Sequence, residues 1–448
     1  MRIIFVALSC GSLGELHNAI CVAQQLMQRG ADVLFLTLKN QQKYAKAAGM
    51  QVQVMQPKLR QHDMLRTAIE AFHADALVLA DYYILDLETE LIDLEALANL
   101  PVPCATFDSL GFAPGARTLQ NRLVREQDER FFRGKFKRFV NIRALPEQIQ
   151  VLRTCPVNAP VQTDAQMLSV KLYERPFTLT NAKRREMRRS LGLHNDTEKL
   201  VMFAKASWAS LNVRYRMVQA AGGSGSVTYS YETYLQDLLT YYLAEVDVPV
   251  TVVGVTSHVG HATPSRSQKH IKFVNMPFLN MEEFAALLFS CDLFVADNIT
   301  SSAMARAVFG NVPVLTIINT ELTGTQDGSA LELPASLKLA GEHAELVQKW
   351  NRLLPGGIYP FHTYPNGWIE ELAPLLHENP YNDAIVQAEM YAFAETTHCF
   401  TELLCNDTSI ASLQARQQAY INQVTALPAT YDIFSTWLAQ AVKKGVTV

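Results

Sequence analysis

Residues 2–9, Arg-Ile-Ile-Phe-Val-Ala-Leu-Ser, form a nearly continuous apolar run with β-branched members, and a glycine turn follows at once. A strand apolar at consecutive positions is buried on both faces, as in a parallel sheet covered by helices. The turn holds Gly11, Ser12 and Gly14; Leu13, Leu16, Ile20, Ala23 and Leu26 then recur at helical spacing, with Gly30 where a helix C-cap belongs. Ala31 to Leu38 reads as the next strand and Gln41 to Ala48 as the next helix, closed by Gly49. Asp75 to Ala80 and Val102 to Phe107 are further strands, each closed by an acid, Asp81 and Asp108. Strand and helix alternating at this pace predict βαβ units.

The same alternation restarts at Leu200 to Ala204. Strands are predicted over 248–255, 271–274, 292–296 and 312–318, and helices over 231–245, 281–290 and 301–309. Asn280 and Glu283 have the spacing of a capping box. A chain of 448 residues is too long for one core, since domains run to roughly 100–200 residues. We therefore divide it into residues 1–178, 179–355 and a mainly helical 356–448 that packs back on the first part.

With 49% hydrophobic and 18% charged residues, disordered, collagenous and coiled-coil chains are excluded. A net charge of -4 argues against nucleic acid as a partner. Seven irregularly spaced cysteines with no C-x-x-C fit a reduced, cytoplasmic chain. No apolar run approaches the ~20 residues of a membrane span, so no integral membrane segment is expected and peripheral membrane contact stays open. Nine Lys or Arg against three acids in residues 117–143, and a second basic cluster at Lys183 to Arg189, read as solvated helix faces or, less simply, as an anion site. Residues 220–228 have the composition of a mobile linker.

Two stretches carry chemistry. Cys10-Gly11-Ser12-Leu13-Gly14-Glu15-Leu16-His17 lies between a first strand and a first helix, where open α/β sheets bind ligands. It lacks the third glycine of a dinucleotide fingerprint, and Lys39 stands where that fingerprint has an acid, so no nicotinamide or flavin cofactor is expected. The second stretch runs from Asp292 through Asn298, Thr300, Ser301, Ser302 and Arg306 to Gly310 and Pro313. Hydroxyls beside free helix N–H groups make a cradle for phosphate, with Arg306 about one turn further on; ordinary N-capping by Ser301 or Ser302 explains part of it. His258 and His261 have no third ligand near in sequence, so no metal is expected.

These stretches resemble the GT-B glycosyltransferases, which have two Rossmann-like domains facing across a cleft. Gly14-Glu15-Leu16-His17 through Gln28-Arg29-Gly30 is similar to that family's N-terminal loop and helix. Asp292 to Leu315, preceded by Phe273 to Phe278, is similar to its donor-binding stretch. Phe361 to Trp368 and Asn379 to Tyr381 match no branch of it, which suggests a bacterial subgroup; Trp368 there is a core residue or a sugar platform.

The resemblance implies transfer of a sugar from a nucleotide-diphosphate donor to a small-molecule or lipid-like acceptor, with the donor as co-substrate and no cofactor. Glu15 falls where members keep the base that deprotonates the acceptor, and His17 ranks second. Ser207, Asn298, Thr300, Ser301, Ser302 and Arg306 fall on the donor side. Gly11, Ser12, Gly14, Asp81 and Asp108 fall on the acceptor side. Where members often carry a ribose-binding Glu, this chain offers Met304, Ala305 or Arg306. That departure keeps two alternatives open: a nucleotide-sugar epimerase or hydrolase, and a non-catalytic binding protein of the same fold.

Overall fold

The computed structural model describes residues 1–9, 13–55, 61–82, 97, 99–109, 145–160, 167–195, 197–205, 213–214, 217–218, 231–255, 268–277, 279–299, 301–321, 323–324, 337, 339–354 and 379–443. The basic stretch 117–143, the 220–228 segment and Trp368 lie outside these residues. The first sheet is built from β1 (Arg2–Ala7), β2 (Asp32–Thr37), β3 (Gln51–Val54), β4 (Ala76–Leu79), β5 (Cys104–Phe107), β6 (Gln150–Cys155) and β7 (Met167–Lys171). Their order is β3-β2-β1-β4-β5-β6-β7, parallel throughout. Helices α1 (Gly14–Gln28), α2 (Gln42–Ala47) and α3 (Gln61–Phe72) connect its first four strands.

β1 shows why the apolar run fixes this unit. Ile3, Ile4, Phe5 and Val6 are all fully buried. Ile3 and Phe5 join one core cluster, while Ile4, Val6 and Leu8 join the other, as the period of two requires. Each such side chain contributes about 1.5–3 kcal/mol of burial, so β1 cannot slip register or move to an edge without large loss.

After the helix α4 (Asn181–Ser190), the second sheet comprises β8 (Lys199–Ala204), β9 (Val250–Val255), β10 (Ile271–Met276), β11 (Leu293–Ala296), β12 (Val314–Ile318) and β13 (Val386–Glu389). Its order is β10-β9-β8-β11-β12-β13, again all parallel. Its helices include α5 (Tyr231–Tyr242), α6 (Met281–Leu288), α7 (Ser302–Phe309) and α8 (Gly341–Leu353). Asn280 caps α6 as its spacing predicts, accepting from the Glu283 N–H at 2.9 Å while the Glu283 carboxylate accepts from the Asn280 N–H at 3.0 Å. The Lys183–Arg189 cluster lies on α4. There Arg184 and Arg188 hold Asp292 at 2.9 and 2.8 Å, which ties α4 to the start of β11.

Strands β3, β6, β7 and β13 have no counterpart in the periodicity. Each is interrupted by polar residues such as Arg153, Lys171 and Gln387, so no continuous apolar run marks it. β13 adds a sixth strand to the second sheet from inside the region read as helical. Helices α9 (Phe393–Cys405), α10 (Asp407–Thr425) and α11 (Thr430–Lys443) follow it. α10 runs beside α7, and its Gln417 amide donates to Val312 O at 2.8 Å. Lys171, at the end of β7, donates to the terminal carbonyls Thr425 O and Leu427 O at 3.0 and 2.7 Å, placing a cation on the negative end of α10. α11 then packs on α1 and β7. Among the described residues no helix is long and apolar enough to cross a membrane.

Candidate functional site

Each sheet reverses its strand order once: beside β1, between β2 and β4, and beside β8, between β9 and β11. Ligands of open α/β sheets bind outside the carboxyl ends of the strands at such points. Here α1, which follows β1, packs against α7, which follows β11, so the two switch points share one junction.

In α1, helical spacing puts Gly14, His17 and Cys21 on one stripe, while Leu16, Ile20 and Ala23 are buried in the core. His17 Nδ1 lies 3.0 Å from the Tyr44 hydroxyl, and Nε2 lies 3.5 Å from Cys21 Sγ. Burial, and secondarily the Arg306 guanidinium, push the His17 imidazole down to about 3, so it is neutral at physiological pH. Burial drives the Cys21 thiol up to about 12, so it stays protonated.

In α7, Ser301 is the N-cap, its hydroxyl accepting from Met304 N–H at 3.3 Å. Met304 and Ala305 are fully buried, which leaves Arg306, of the three residues at the expected ribose position, to face α1. Arg306 is only 9% exposed. Its guanidinium lies 5.3 Å from the Phe177 ring centre and 5.8 Å from that of Phe289, and among the described residues its Nε has no hydrogen-bond partner. Phe177 belongs to the segment joining the two sheets, whose Phe177 N–H donates to Phe309 O at 2.8 Å.

Between these helices lies a cavity of about 170 Å³, lined by Leu13, Gly14, His17 and Tyr44 on one side and Val255, Leu279, Phe284, Ser302, Ala303 and Arg306 on the other. The structure therefore brings together Gly14, His17, Ser302 and Arg306 from the sequence-predicted set. Glu15 is buried in the first turn of α1 and is not on the cavity wall, though a carboxylate is favoured at that helix end. Asp81 accepts from the Ser109 N–H at 2.9 Å, and the Asp108 carbonyl accepts from the Asn158 side chain. Both acids are fully buried and pin the ends of β4 and β5. Gly11, Ser12, Thr300, Ser207, His258 and His261 lie outside the described residues.

A second polar group stands at the ends of β8 and β11. Asp297 accepts from the Tyr231 hydroxyl at 3.2 Å and from the Asn298 amide at 2.8 Å. Lys205 pairs with Glu232. Burial lowers the Lys205 ammonium to about 8 against the opposing pull of Asp297. Tyr44, Phe177, Phe289 and Tyr231 went unread in the sequence because a single aromatic, inside a helix like Tyr44 and Tyr231 or outside one like Phe177, carries no spacing signal for a site. Asp297 stood inside the quoted strand-to-helix stretch and was the one member that the motif itself could have flagged.

Two parallel sheets with facing switch points and a C-terminal helix returning to the first define the GT-B glycosyltransferase fold. Solved structures agree. Glycosyltransferase VinC in complex with DTDP superposes with a TM-score of 0.51 at 12% identity, over 99% of this chain and 100% of that one. The spinosyn forosaminyltransferase SpnP gives 0.51 at 14%, over 100% of both chains. Arabidopsis thaliana UGT89C1, complexed with quercetin, gives 0.53 at 11%, over 98% of both. At these identities the likeness establishes the fold alone. The chain belongs to the family described as a family of unknown function, DUF6365, whose profile matches residues 22–445. No curated protein matches its sequence.

Proposed function

We propose that this protein is a glycosyltransferase that moves a sugar from a nucleotide-diphosphate donor, held by the second sheet and its helices, to a small-molecule or lipid-like acceptor held against the first. The observation that carries the reading is His17 facing Arg306 across one cavity, each on the helix that follows a switch-point strand. An acceptor hydroxyl is a poor nucleophile until its proton can leave; the His17 imidazole on the wall is uncharged and can accept it, but burial holds it a weak base at about 3, so the role requires bound substrate to raise it. His17, with the Tyr44 hydroxyl beside it, fits that role better than Glu15, which the sequence ranked first but which is off the wall. The departing diphosphate gathers negative charge. The amino end of α7, at Ser301 and Ser302, supplies the opposite sign, so no metal ion is required in this scheme.

The test is a panel of nucleotide sugars and hydroxyl-bearing acceptors, with binding read by thermal shift and products by mass spectrometry, with and without chelator. A glycosylated acceptor formed in chelator supports the reading. Free sugar or an epimerised donor replaces it with a hydrolase or epimerase, and donor binding without any product leaves a binding protein. Activity lost in chelator and restored by manganese defeats the metal-free scheme.

A further inference from the structure

Among the described residues no ion pair to Arg306 is found and its Nε has no hydrogen-bond partner, while two phenyl rings lie against the guanidinium. A buried charge in that state is costly, and cation–π contacts offset only part of its lost hydration. No Asp or Glu stands among the described lining residues. Glu15 and Glu283 adjoin lining residues in sequence but are not on the wall, and residues 10–12, 256–267, 278 and 300 contain no acid. The protein therefore holds a fixed positive charge beside an opening whose described walls offer it no counter-ion.

The walls say what kind of anion fits. Leu13, Val255, Leu279, Phe284 and Ala303 are apolar, and the polar groups beside Arg306 are His17, Tyr44 and Ser302. His17 is neutral, so Arg306 is the one cation among the described lining residues. A diphosphate spreads at least two charges over many oxygens and needs several donors. A carboxylate needs one forked donor, which a guanidinium provides. The volume is about 170 Å³, and apolar cavities of roughly 150 Å³ are known to take a benzene ring.

We infer that this cavity binds the carboxylate of an acceptor whose body is apolar and about the size of one aromatic ring, the carboxylate resting on Arg306 and the body against Leu13, Val255 and Phe284. The word acceptor rests on the transfer reading above; the anion site does not. A carboxylate seated there offsets the Arg306 charge, the smaller of the two causes that hold the His17 imidazole low, while burial, the larger, remains.

Titration calorimetry on the full chain, with no nucleotide sugar present, tests the site with benzoate, its neutral analogue benzyl alcohol, and inorganic pyrophosphate. Benzoate is expected to bind at least ~10-fold more tightly than benzyl alcohol, and Arg306→Met to remove that preference. Ala303→Phe fills the cavity while keeping the guanidinium, and is expected to abolish benzoate binding in a protein whose circular dichroism is unchanged. Benzoate binding that is absent, or unaltered by Arg306→Met, overturns the proposal. So does pyrophosphate binding that alone depends on Arg306, which assigns the charge to the donor. Benzoate binding that persists in a protein inert to every nucleotide sugar sinks the transfer reading and leaves the anion site standing.

Discussion

The Tyr44 hydroxyl lies 3.0 Å from His17 Nδ1, joining α2 to α1 at the edge of the cavity that Arg306 closes from the other domain. This contact fixes the ring plane of the one titratable imidazole on the wall. Glu15, two residues away in sequence, lies on a different face of the helix.

His17→Gln keeps the side chain's reach and removes the base. Turnover is expected to fall ~100-fold or more, with donor binding nearly unchanged because the proposed donor site lies with the second sheet. Tyr44→Phe is expected to cost about 10-fold by loosening the ring. Glu15→Gln is expected to lose less than either. Steady-state kinetics on the three variants decide the order; a dead Glu15→Gln beside an active His17→Gln restores Glu15 as the base.

The buried His17 also couples stability to pH. Its imidazole titrates near 6.5 when unfolded and at about 3 when folded, so between those values the unfolded chain binds the extra proton. The protein therefore loses stability as pH falls from 6.5 towards 3, by up to about 1.4 kcal/mol per unit from this group, and gains nothing from it above 6.5. Urea unfolding at pH 7 and pH 4.5 is expected to show a smaller loss in His17→Gln than in the wild type. Equal losses in the two proteins contradict the burial assigned to His17.

Gly310 ends α7 at an ordinary negative φ, so its freedom is not conformational. A β-carbon there would overlap the Phe289 ring, which lies against Arg306. Gly310→Ala is expected to destabilise the fold by about 1–3 kcal/mol and to displace Phe289. A chemical-denaturation midpoint equal to wild type speaks against so close a packing.

Gln25 on α1 donates to Lys171 O and Leu172 O at 3.1 and 2.8 Å and accepts from the Thr430 hydroxyl at 2.6 Å. One buried amide thus joins α1, the end of β7 and the start of α11. Gln25→Ala removes the side-chain donor to Leu172 O, leaves Thr430 Oγ1 and Lys171 O only each other at 3.2 Å, and is expected to cost about 1–3 kcal/mol, with faster hydrogen exchange in α11. Exchange in α11 that is unchanged would mean that its apolar contacts alone hold it.

The sequence by itself determined the strands that must be buried on both faces, such as β1 and β11, and the helices whose caps are local, such as α6 at Asn280 and α1 at Gly30. These follow from apolar periodicity and from backbone groups that neighbouring side chains satisfy, and both are written within a few residues. It also marked the strand-to-helix turns at 10–17 and 297–302, because small and polar residues gather where a chain must turn. The partners of Arg306 and His17 were decided only by the tertiary structure. Phe177, Phe289 and Tyr44 come from three separate elements, and their meeting depends on how α1, α2, α6 and α7 pack. The same holds for Glu15 and His17: two residues of similar promise in sequence lie about 200° apart around a helix, at its 3.6 residues per turn, and the packing of α7 against α1 placed His17 alone on the wall of the cavity.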